Sequence, residues 1–111
     1  MFNNSIMEID ASELAQWVKD ATQNLRVIDV RQMQEIAAGT VPKAEPLPLH
    51  ALPGRVHEFS SEEKLVMVCR SGARSAQACI FLQQHGFPNV YNLRGGMMGW
   101  IQSGYPPCQL A

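Results

Sequence analysis

Apolar residues along the chain fall into short continuous runs that alternate with segments of helical periodicity. A short apolar run bounded by polar or turn residues is typical of a strand, and β-branched residues strengthen that prediction. On this basis we predict strands at residues 6–9, 26–30, 64–68 and 90–93. The run "KLVMV" at 64–68 is continuous rather than alternating, which indicates a strand covered on both faces.

The segments between these runs have the spacing of helices. The predicted helices lie at residues 13–20, 31–38, 50–59, 75–85 and 95–104. Ser12 is the expected N-cap of the first helix, and Gly86 the expected C-terminal cap of the fourth. A proline and a glycine make the helix at 50–59 irregular. The helix at 75–85 is apolar nearly all round, which predicts that it is buried all round.

The segment "TVPKAEPLPL" at 40–49 interrupts this alternation with three prolines in ten residues. Proline lacks a backbone N–H and breaks helices, so the segment is predicted to be an extended surface crossing with at most a short edge strand.

Alternating strands and helices imply βαβ units with right-handed crossovers. The predicted fold class is therefore α/β, with a small, mostly parallel sheet and helices on both faces. A chain of 111 residues has room for one hydrophobic core, so we expect a single domain over residues 1–111 with its core at about 5–107.

Composition and charge exclude several classes of protein. The sequence is 46% hydrophobic and 17% charged, with a formal net charge of -1, which is typical of a globular domain and offers nucleic acid no basic surface. No stretch approaches the roughly 20 apolar residues that span a bilayer, so no membrane partner is expected. The first residues lack the pattern of a signal peptide, which makes the cytoplasm the expected location.

The cysteines predict neither a disulfide framework nor a zinc site. Cys69, Cys79 and Cys108 are odd in number, with no C-x-x-C pair and no histidine pair at zinc-finger spacing. Cys79 lies on the apolar helix and is expected to be an inert, buried thiol. Cys108 lies in a proline-flanked tail that is expected to be mobile.

The stretch "CRSGARS" at 69–75 places a thiol where a predicted strand gives way to a helix. In α/β sheets, ligands bind outside the carboxyl ends of the strands. The backbone N–H groups of the turn can converge on an anion there, helped by the positive end of the helix dipole. Such surroundings lower the pKa of a cysteine from its usual value of about 8.5, so Cys69 is expected to be a nucleophilic thiolate at neutral pH.

Small residues and two arginines complete this loop. Ser71, Gly72 and Ala73 let the backbone curl around the sulfur, and Gly72 permits a positive φ. Arg70 and Arg74 can hold the oxygens of an anionic substrate through charge-assisted hydrogen bonds.

Other polar and sulfur-containing residues are expected to serve the structure. Asp29, Arg31 and Glu35 are expected to pair with one another or to brace the loop. Met97, Met98 and Trp100 are expected in core packing, with Trp100 also a candidate wall of the site's mouth.

Together these motifs resemble the single-domain rhodaneses, which are thiosulfate sulfurtransferases. "CRSGARSAQA" is similar to the active-site loop of that family, "VIDVRQMQEIAAGTVPKAEPLPL" to its upstream D-V-R pattern, and "VYNLRGGMMGWIQSGYPP" to its closing pattern of strand, Gly-Gly and Trp. Three motifs in the right order over roughly residues 5–107 make the resemblance specific.

The resemblance implies a rhodanese-like fold and a two-step sulfur transfer. Cys69 would be catalytic and would take the outer sulfur of a small anionic donor such as thiosulfate as a persulfide. The residues that would bind this substrate are Arg70, Ser71, Gly72, Ala73, Arg74 and Ser75. The acceptor would be a thiol, cyanide or a sulfur-carrier protein, and this covalent chemistry needs neither a cofactor nor a metal. Whether Cys108 takes sulfur from Cys69 stays open.

Two other functions stay open beside this one. Cysteine phosphatases and arsenate reductases use the pattern C-x5-R, which would place an arginine where this chain has Ser75; Arg74 comes one residue earlier, and the tighter loop suits a sulfur atom better than a phosphoryl group. A non-catalytic binding or redox-sensing module is the second alternative, since one scaffold serves several functions.

Three residues depart from the pattern of the rhodaneses. Thr40, Lys43 and Pro46 stand where the family usually has His, Gly and Asn. All three lie in the proline-rich crossing, so they put the conformation of that crossing in question rather than the loop around Cys69.

Overall fold

A parallel sheet forms the centre of the molecule. The computed structural model of the protein describes residues 6–110, so the predicted start of the core at residue 5 lies outside the described residues. The strands are β1 (Met7–Ile9), β2 (Leu25–Asp29), β3 (Ala44–Pro46), β4 (Lys64–Val68) and β5 (Val90–Leu93). They pair in parallel in the order β1-β5-β4-β2-β3, which confirms the predicted fold class and places β4 at the centre.

A helical segment follows each strand, close to where the sequence predicts one. The segments are α1 (Ala11–Lys19), α2 (Met33–Ala37), a 3₁₀ helix (Leu49–Glu58), α3 (Ala73–Gln84) and α4 (Gly96–Gln102). The helix at 50–59, which was predicted to be irregular because of its proline and glycine, is the 3₁₀ helix. No helix within residues 6–110 is long and apolar enough to cross a membrane.

The N-cap predicted for the first helix is wrong. Asp10 precedes α1, and its carboxylate accepts a hydrogen bond from the backbone N–H of Glu13 at 2.8 Å. Ser12 lies inside the first turn and donates its hydroxyl to the same carboxylate at 2.9 Å. Both residue types cap helices, but only Asp10 has the extended backbone that aims a side-chain oxygen at the free N–H groups of the first turn.

Helices pack against both faces of the sheet, as predicted. On one face α1 and α4 pack against Val66 and Val68 of β4, and on the other α3 and the 3₁₀ helix pack against Leu65 and Met67. Successive residues of a strand point to opposite faces, so this run is buried on both sides. Each of these side chains contributes roughly 1.5–3 kcal/mol relative to an exposed position.

Helix α3 is buried on one face only, which corrects the prediction of burial all round. Its buried residues are Ser75, Ala78, Cys79 and Leu82. Phe81 is half-buried, because a helix in an outer layer contacts the sheet along one stripe. The helix begins at Ala73, two residues before the predicted start, and Gly86 follows its end with φ of 89°, as the predicted cap requires.

The proline-rich crossing forms the edge strand β3 and is more buried than predicted. Val41, Ala44 and Leu47 are buried. Lys43 has a φ of 69°, the left-handed conformation that glycine would adopt most readily, and its Nζ donates to the Val18 carbonyl at 3.0 Å near the end of α1. Pro46 ends β3 at the sheet edge, where a missing N–H is tolerated.

The C-terminal tail is anchored at Cys108, contrary to the expectation that it is mobile. Thr40 and Cys108 exchange two backbone hydrogen bonds of 2.8 and 2.7 Å, which form an isolated antiparallel bridge. Pro107 packs closely on Gly39, since a Cβ placed on that glycine would lie 2.6 Å from the Cβ of the proline. The tail therefore holds the start of the crossing in place.

Candidate active site

Cys69 follows the central strand β4 and lies at the centre of the loop that leads into α3. Its side chain is buried, and its Sγ accepts hydrogen bonds from the Gly72 backbone N–H at 3.0 Å and from the Ser75 hydroxyl at 3.2 Å. Gly72 occupies the N-cap of α3 and has a φ of 110°. This is the positive φ that a glycine permits, as predicted from the sequence. The loop thus curls around the sulfur.

These contacts make the Cys69 thiol more acidic than usual. Burial alone raises its pKa, but hydrogen bonds from the Ser75 hydroxyl and from the backbone N–H groups of Ser75, Gly72 and Ser71 lower it further than burial raises it. The net effect is a lowered pKa, in the predicted direction. Hydrogen bonds make the largest contributions that lower the pKa of Cys69. From the sequence, part of this lowering was expected from the positive charges of the neighbouring arginines.

Asn92 on β5 fixes the hydroxyl that reaches the sulfur. Its Oδ1 lies 2.5 Å from the Ser75 Oγ, and its Nδ2 donates to the Gly72 carbonyl at 3.1 Å. The single hydroxyl proton of Ser75 can serve one acceptor at a time. A thiolate is the stronger acceptor because the bond to it is charge-assisted, whereas a neutral thiol can donate to Ser75, which then donates to Asn92.

Sequence reasoning missed Asn92, although one signal was present. A buried polar side chain in an otherwise apolar strand needs a partner. The partner could not be read from the sequence, because Ser75 is 17 residues away.

Gly96 lets α4 approach the backbone of the loop, and it too was missed as a site residue. A Cβ placed on it would lie 2.5 Å from the Cys69 carbonyl oxygen and 2.6 Å from the Arg70 carbonyl. Because the two backbones lie so close, the first N–H groups of α4 reach the loop. The Met97 N–H donates to the Cys69 carbonyl at 2.8 Å, and the Met98 N–H donates to the Arg70 carbonyl at 3.0 Å. These two hydrogen bonds hold the backbone of the loop against the start of α4. The Gly-Gly pair at 95–96 was the available signal.

Arg74 is paired with Glu35 of α2. Its two terminal nitrogens donate to the two carboxylate oxygens at 2.8 and 3.0 Å, and both side chains are about one third exposed. Glu35 also accepts from the backbone N–H of Gln32, which closes a capping box at the start of α2. Glu35 therefore braces the loop, as the sequence indicated.

A second pair lies beneath the site. Arg31 donates to both carboxylate oxygens of Asp29 and to the carbonyl of Gly39, and both charged side chains are buried. Thr40 donates its hydroxyl to Asp29 at 2.7 Å. Thr40 is one of the three residues that depart from the rhodanese pattern. Its hydroxyl gives the buried carboxylate of Asp29 a hydrogen-bond donor.

The remaining loop residues face solvent. Arg70, Ser71 and Ala73 are exposed. Beside the loop lies a depression of about 300 Å³, lined by Arg31, Glu35, Ala38, Arg70, Met97, Met98 and Ile101. Trp100 does not line it; this side chain is buried in the core and donates to the Pro106 carbonyl at 3.1 Å, so its proposed place at the mouth is wrong.

The other two cysteines differ from Cys69. Burial raises the pKa of Cys79 to about 12, which fits an unreactive thiol. Cys108 is half-buried in the bridge to Thr40. All three are free thiols.

Comparison with known proteins gives matches over nearly the whole chain. A sequence profile of the Rhodanese-like domain matches residues 10–103. A sulfurtransferase from Allochromatium vinosum is 44% identical over 101 residues, which make up 91% of this chain and 94% of that protein. The profile match includes the loop from Cys69 to Ser75 and the start of α4.

Solved structures are similar as well. A rhodanese-related protein from Thermoplasma volcanium has a TM-score of 0.82 and 30% identity, with coverage of 92% of this chain and 97% of that one. A thiosulfate sulfurtransferase from Pseudomonas aeruginosa has a TM-score of 0.84 and 26% identity, with coverage of 94% of this chain and 20% of that one.

Proposed function

The chain belongs to the Rhodanese-like domain family and has sulfurtransferase relatives, and from this premise we propose that Cys69 carries sulfur as a persulfide. The proposed donor is thiosulfate or a similar small anion, and the proposed acceptor is a thiol, cyanide or a sulfur-carrier protein. One observation carries the proposal: the Cys69 sulfur, with its lowered pKa, accepts hydrogen bonds from Gly72 and Ser75 at the end of the central strand.

In the first step the Cys69 thiolate attacks the outer sulfur of the donor. A new S–S bond forms, the sulfur–sulfur bond of thiosulfate breaks, and sulfite leaves with the electron pair of that bond. The enzyme keeps one sulfur atom as a persulfide anion. The donors that stabilise the thiolate can also stabilise this anion, since both are negative sulfur species within the same loop.

In the second step the thiolate of the acceptor attacks the outer sulfur of the persulfide. The enzyme's S–S bond breaks, its electron pair returns to Cys69 as the thiolate, and the acceptor leaves as a persulfide. Cyanide would leave as thiocyanate by the same displacement. The first step requires no general base when Cys69 attacks as the thiolate that its lowered pKa favours, and in the second step the acceptor attacks as its own thiolate.

The residues proposed to bind the donor occupy three positions. The backbone of Ser71, Gly72 and Ser75 faces the sulfur, and the small Ala73 begins α3 beside it. Arg70 is exposed at the depression and is the cation available for the donor's oxygens. Arg74 holds the start of α3 through Glu35.

The free thiols also bear on the proposed compartment. Cys69 works only as a thiol, and the three free cysteines fit a reducing compartment. We therefore include the cytoplasm in the proposal.

Mass spectrometry of the intact protein tests the proposal. After treatment with thiosulfate and removal of excess donor, the wild type is expected to gain the mass of one sulfur atom and to lose it on addition of cyanide or a thiol. Cys69→Ser is expected to gain nothing, because its hydroxyl is not ionised at neutral pH. Cys108→Ser is the matched control and is expected to gain and lose sulfur like the wild type.

Each contrary result points to a different reading. A wild-type mass that does not change with any sulfane-sulfur donor would favour a binding or redox-sensing module. Hydrolysis of an aryl phosphate that disappears in Cys69→Ser would favour phosphatase chemistry. A persulfide that stays on Cys69 only in Cys108→Ser would show that Cys108 takes the sulfur.

A further inference from the structure

Within the part of the chain that the structure describes, Asp29, Arg31, Glu35 and Arg74 form ion pairs around the loop, whereas Arg70 does not. Arg74 pairs with Glu35, and Arg31 pairs with Asp29. Arg70 is exposed at the depression and has no carboxylate within ion-pair distance among residues 6–110. The loop contains two arginines, but it presents the charge of only one to a ligand.

Glu35 is held in this arrangement from two sides. Its carboxylate accepts from the Gln32 backbone N–H at 3.0 Å and from two nitrogens of Arg74. The hydrogen bonds with Arg74 lower the pKa of Glu35 to about 2, so the carboxylate is charged at neutral pH. The pair therefore exists before any donor arrives, and a dianion would have to compete with Glu35 for Arg74.

Much of the surface beside Arg70 is apolar, although Arg31 and Glu35 also line the depression. Met98 and Ile101 are about half exposed, at 45% and 52%, and line the depression with the buried Met97. The expectation that Met98 packs in the core is therefore wrong. A fully inorganic dianion gains nothing from such a surface, whereas an organic substituent can bury apolar area against it. The single unpaired charge of Arg70 and the apolar lining of the depression thus both favour a singly charged donor with an organic substituent.

We propose that Glu35 is a specificity-determining residue which, by neutralising Arg74, favours singly charged organic sulfur donors, such as thiosulfonates, over the dianion thiosulfate. This inference rests on the proposed function and identifies the class of donor. A thiosulfonate is a close relative of thiosulfate in which a carbon substituent replaces one charged oxygen. Cys69 attacks its outer sulfur, the sulfur–sulfur bond breaks, and a sulfinate leaves with the electron pair.

The test compares two donors in two variants. The measured quantity is the ratio of kcat/KM for thiosulfate to kcat/KM for methanethiosulfonate, with cyanide as acceptor. In Glu35→Gln this ratio is expected to rise about fivefold, mainly through a lower KM for thiosulfate, because Arg74 regains an uncompensated charge. Glutamine is also accepted in a capping box, so α2 keeps its start.

Glu62→Gln is the matched control. It removes the same charge from an exposed glutamate that forms no ion pair among the described residues. The donor ratio is expected to stay at the wild-type value. Thiosulfate turnover in Glu35→Gln should also fall more steeply with added NaCl than in the wild type, since salt screens the charge that was released.

Arg70→Gln gives an independent result at an exposed position where the fold is not at risk. It removes the loop arginine that forms no ion pair among residues 6–110, so the ratio is expected to change in the opposite direction, with thiosulfate losing more than methanethiosulfonate. A donor ratio unchanged in both Glu35→Gln and Arg70→Gln, in protein that still forms the Cys69 persulfide, would overturn the inference. A wild type that forms no persulfide with either donor would instead overturn the proposed function on which it rests.

Discussion

The acidity of Cys69 depends on single atoms of its neighbours. Burial raises the pKa of Cys69, and the hydrogen bond from the Ser75 hydroxyl makes the largest contribution that lowers it. Sequence reasoning placed Ser75 among the residues that bind the substrate, but it could not show that its side chain faces the sulfur. In the structure this hydroxyl lies 3.2 Å from the sulfur, which supports the more specific proposal that it stabilises the thiolate.

Removing that hydroxyl is expected to raise the pKa of Cys69. In Ser75→Ala the burial of the sulfur remains while the largest lowering contribution disappears. The rate of alkylation by iodoacetamide follows the thiolate, so its midpoint against pH should move upward and the rate at neutral pH should fall. The measurement is made in a Cys108→Ser background, where Cys69 is the reactive thiol.

Ser71→Ala is the matched control for this change. Ser71 lies in the same loop and is exposed, and it contributes to the sulfur through its backbone N–H, which alanine retains. Its alkylation midpoint is expected to equal that of the parent protein. An equal midpoint in Ser75→Ala would contradict the assignment of the hydroxyl.

At the scale of elements, β1, β2, β4 and β5 were predicted well because each is a short apolar run, whereas the edge strand β3 was predicted only as an extended crossing with at most a short strand. Helix ends were harder to predict, since Asp10 and Ser12 compete for one N-cap and only the backbone geometry decides between them. The contact of α4 with the loop was not predictable from periodicity. It depends on how closely Gly96 lets two backbones approach, and that distance is a property of the packed structure.

Gly96→Ala is expected to disturb both the fold and the active-site loop. The new Cβ would overlap the carbonyl groups of Cys69 and Arg70, and φ of 57° is itself unfavourable for alanine. We expect a loss of roughly 2–5 kcal/mol in the free energy of unfolding, from strain and overpacking together. Urea denaturation measures this loss, and slower alkylation of Cys69 reports the displaced loop.

Gly104→Ala separates the effect of backbone strain from the effect of overpacking. Gly104 has a φ of 91°, but a Cβ there would meet nothing within 4 Å. This variant should lose roughly 1–2 kcal/mol from backbone strain alone and should keep the alkylation rate of the wild type. Equal effects of the two substitutions would show that the approach of α4 to the loop is unimportant.

At the scale of the whole molecule, the alternation of elements predicted a parallel sheet but not the order of its strands. That order, with β4 at the centre, brings the loop that follows β4 beside α2, which follows β2, and beside α4, which follows β5. The ion pair of Arg74 with Glu35 spans 39 residues of sequence. Motif order identified the family, whereas the partners of the loop came from this topology.

The C-terminal segment is predicted to stabilise the whole molecule through its bridge to the crossing. Deletion of residues 107–111 would remove both Thr40–Cys108 hydrogen bonds and the packing of Pro107 on Gly39. Two backbone hydrogen bonds contribute roughly 1–3 kcal/mol together, and urea denaturation should show a loss of that size. Cys108→Ser keeps both bonds, because they involve backbone atoms, and should unfold almost like the wild type.

The effect of this deletion should extend to the site beneath the loop. Thr40 donates to Asp29, and Gly39 accepts from Arg31, so a loosened crossing exposes the buried Asp29–Arg31 pair to competition from water. We expect the shortened protein to form the Cys69 persulfide more slowly than Cys108→Ser at the same pH. A shortened protein with unchanged stability and unchanged persulfide formation would mean that the crossing holds its conformation without the tail.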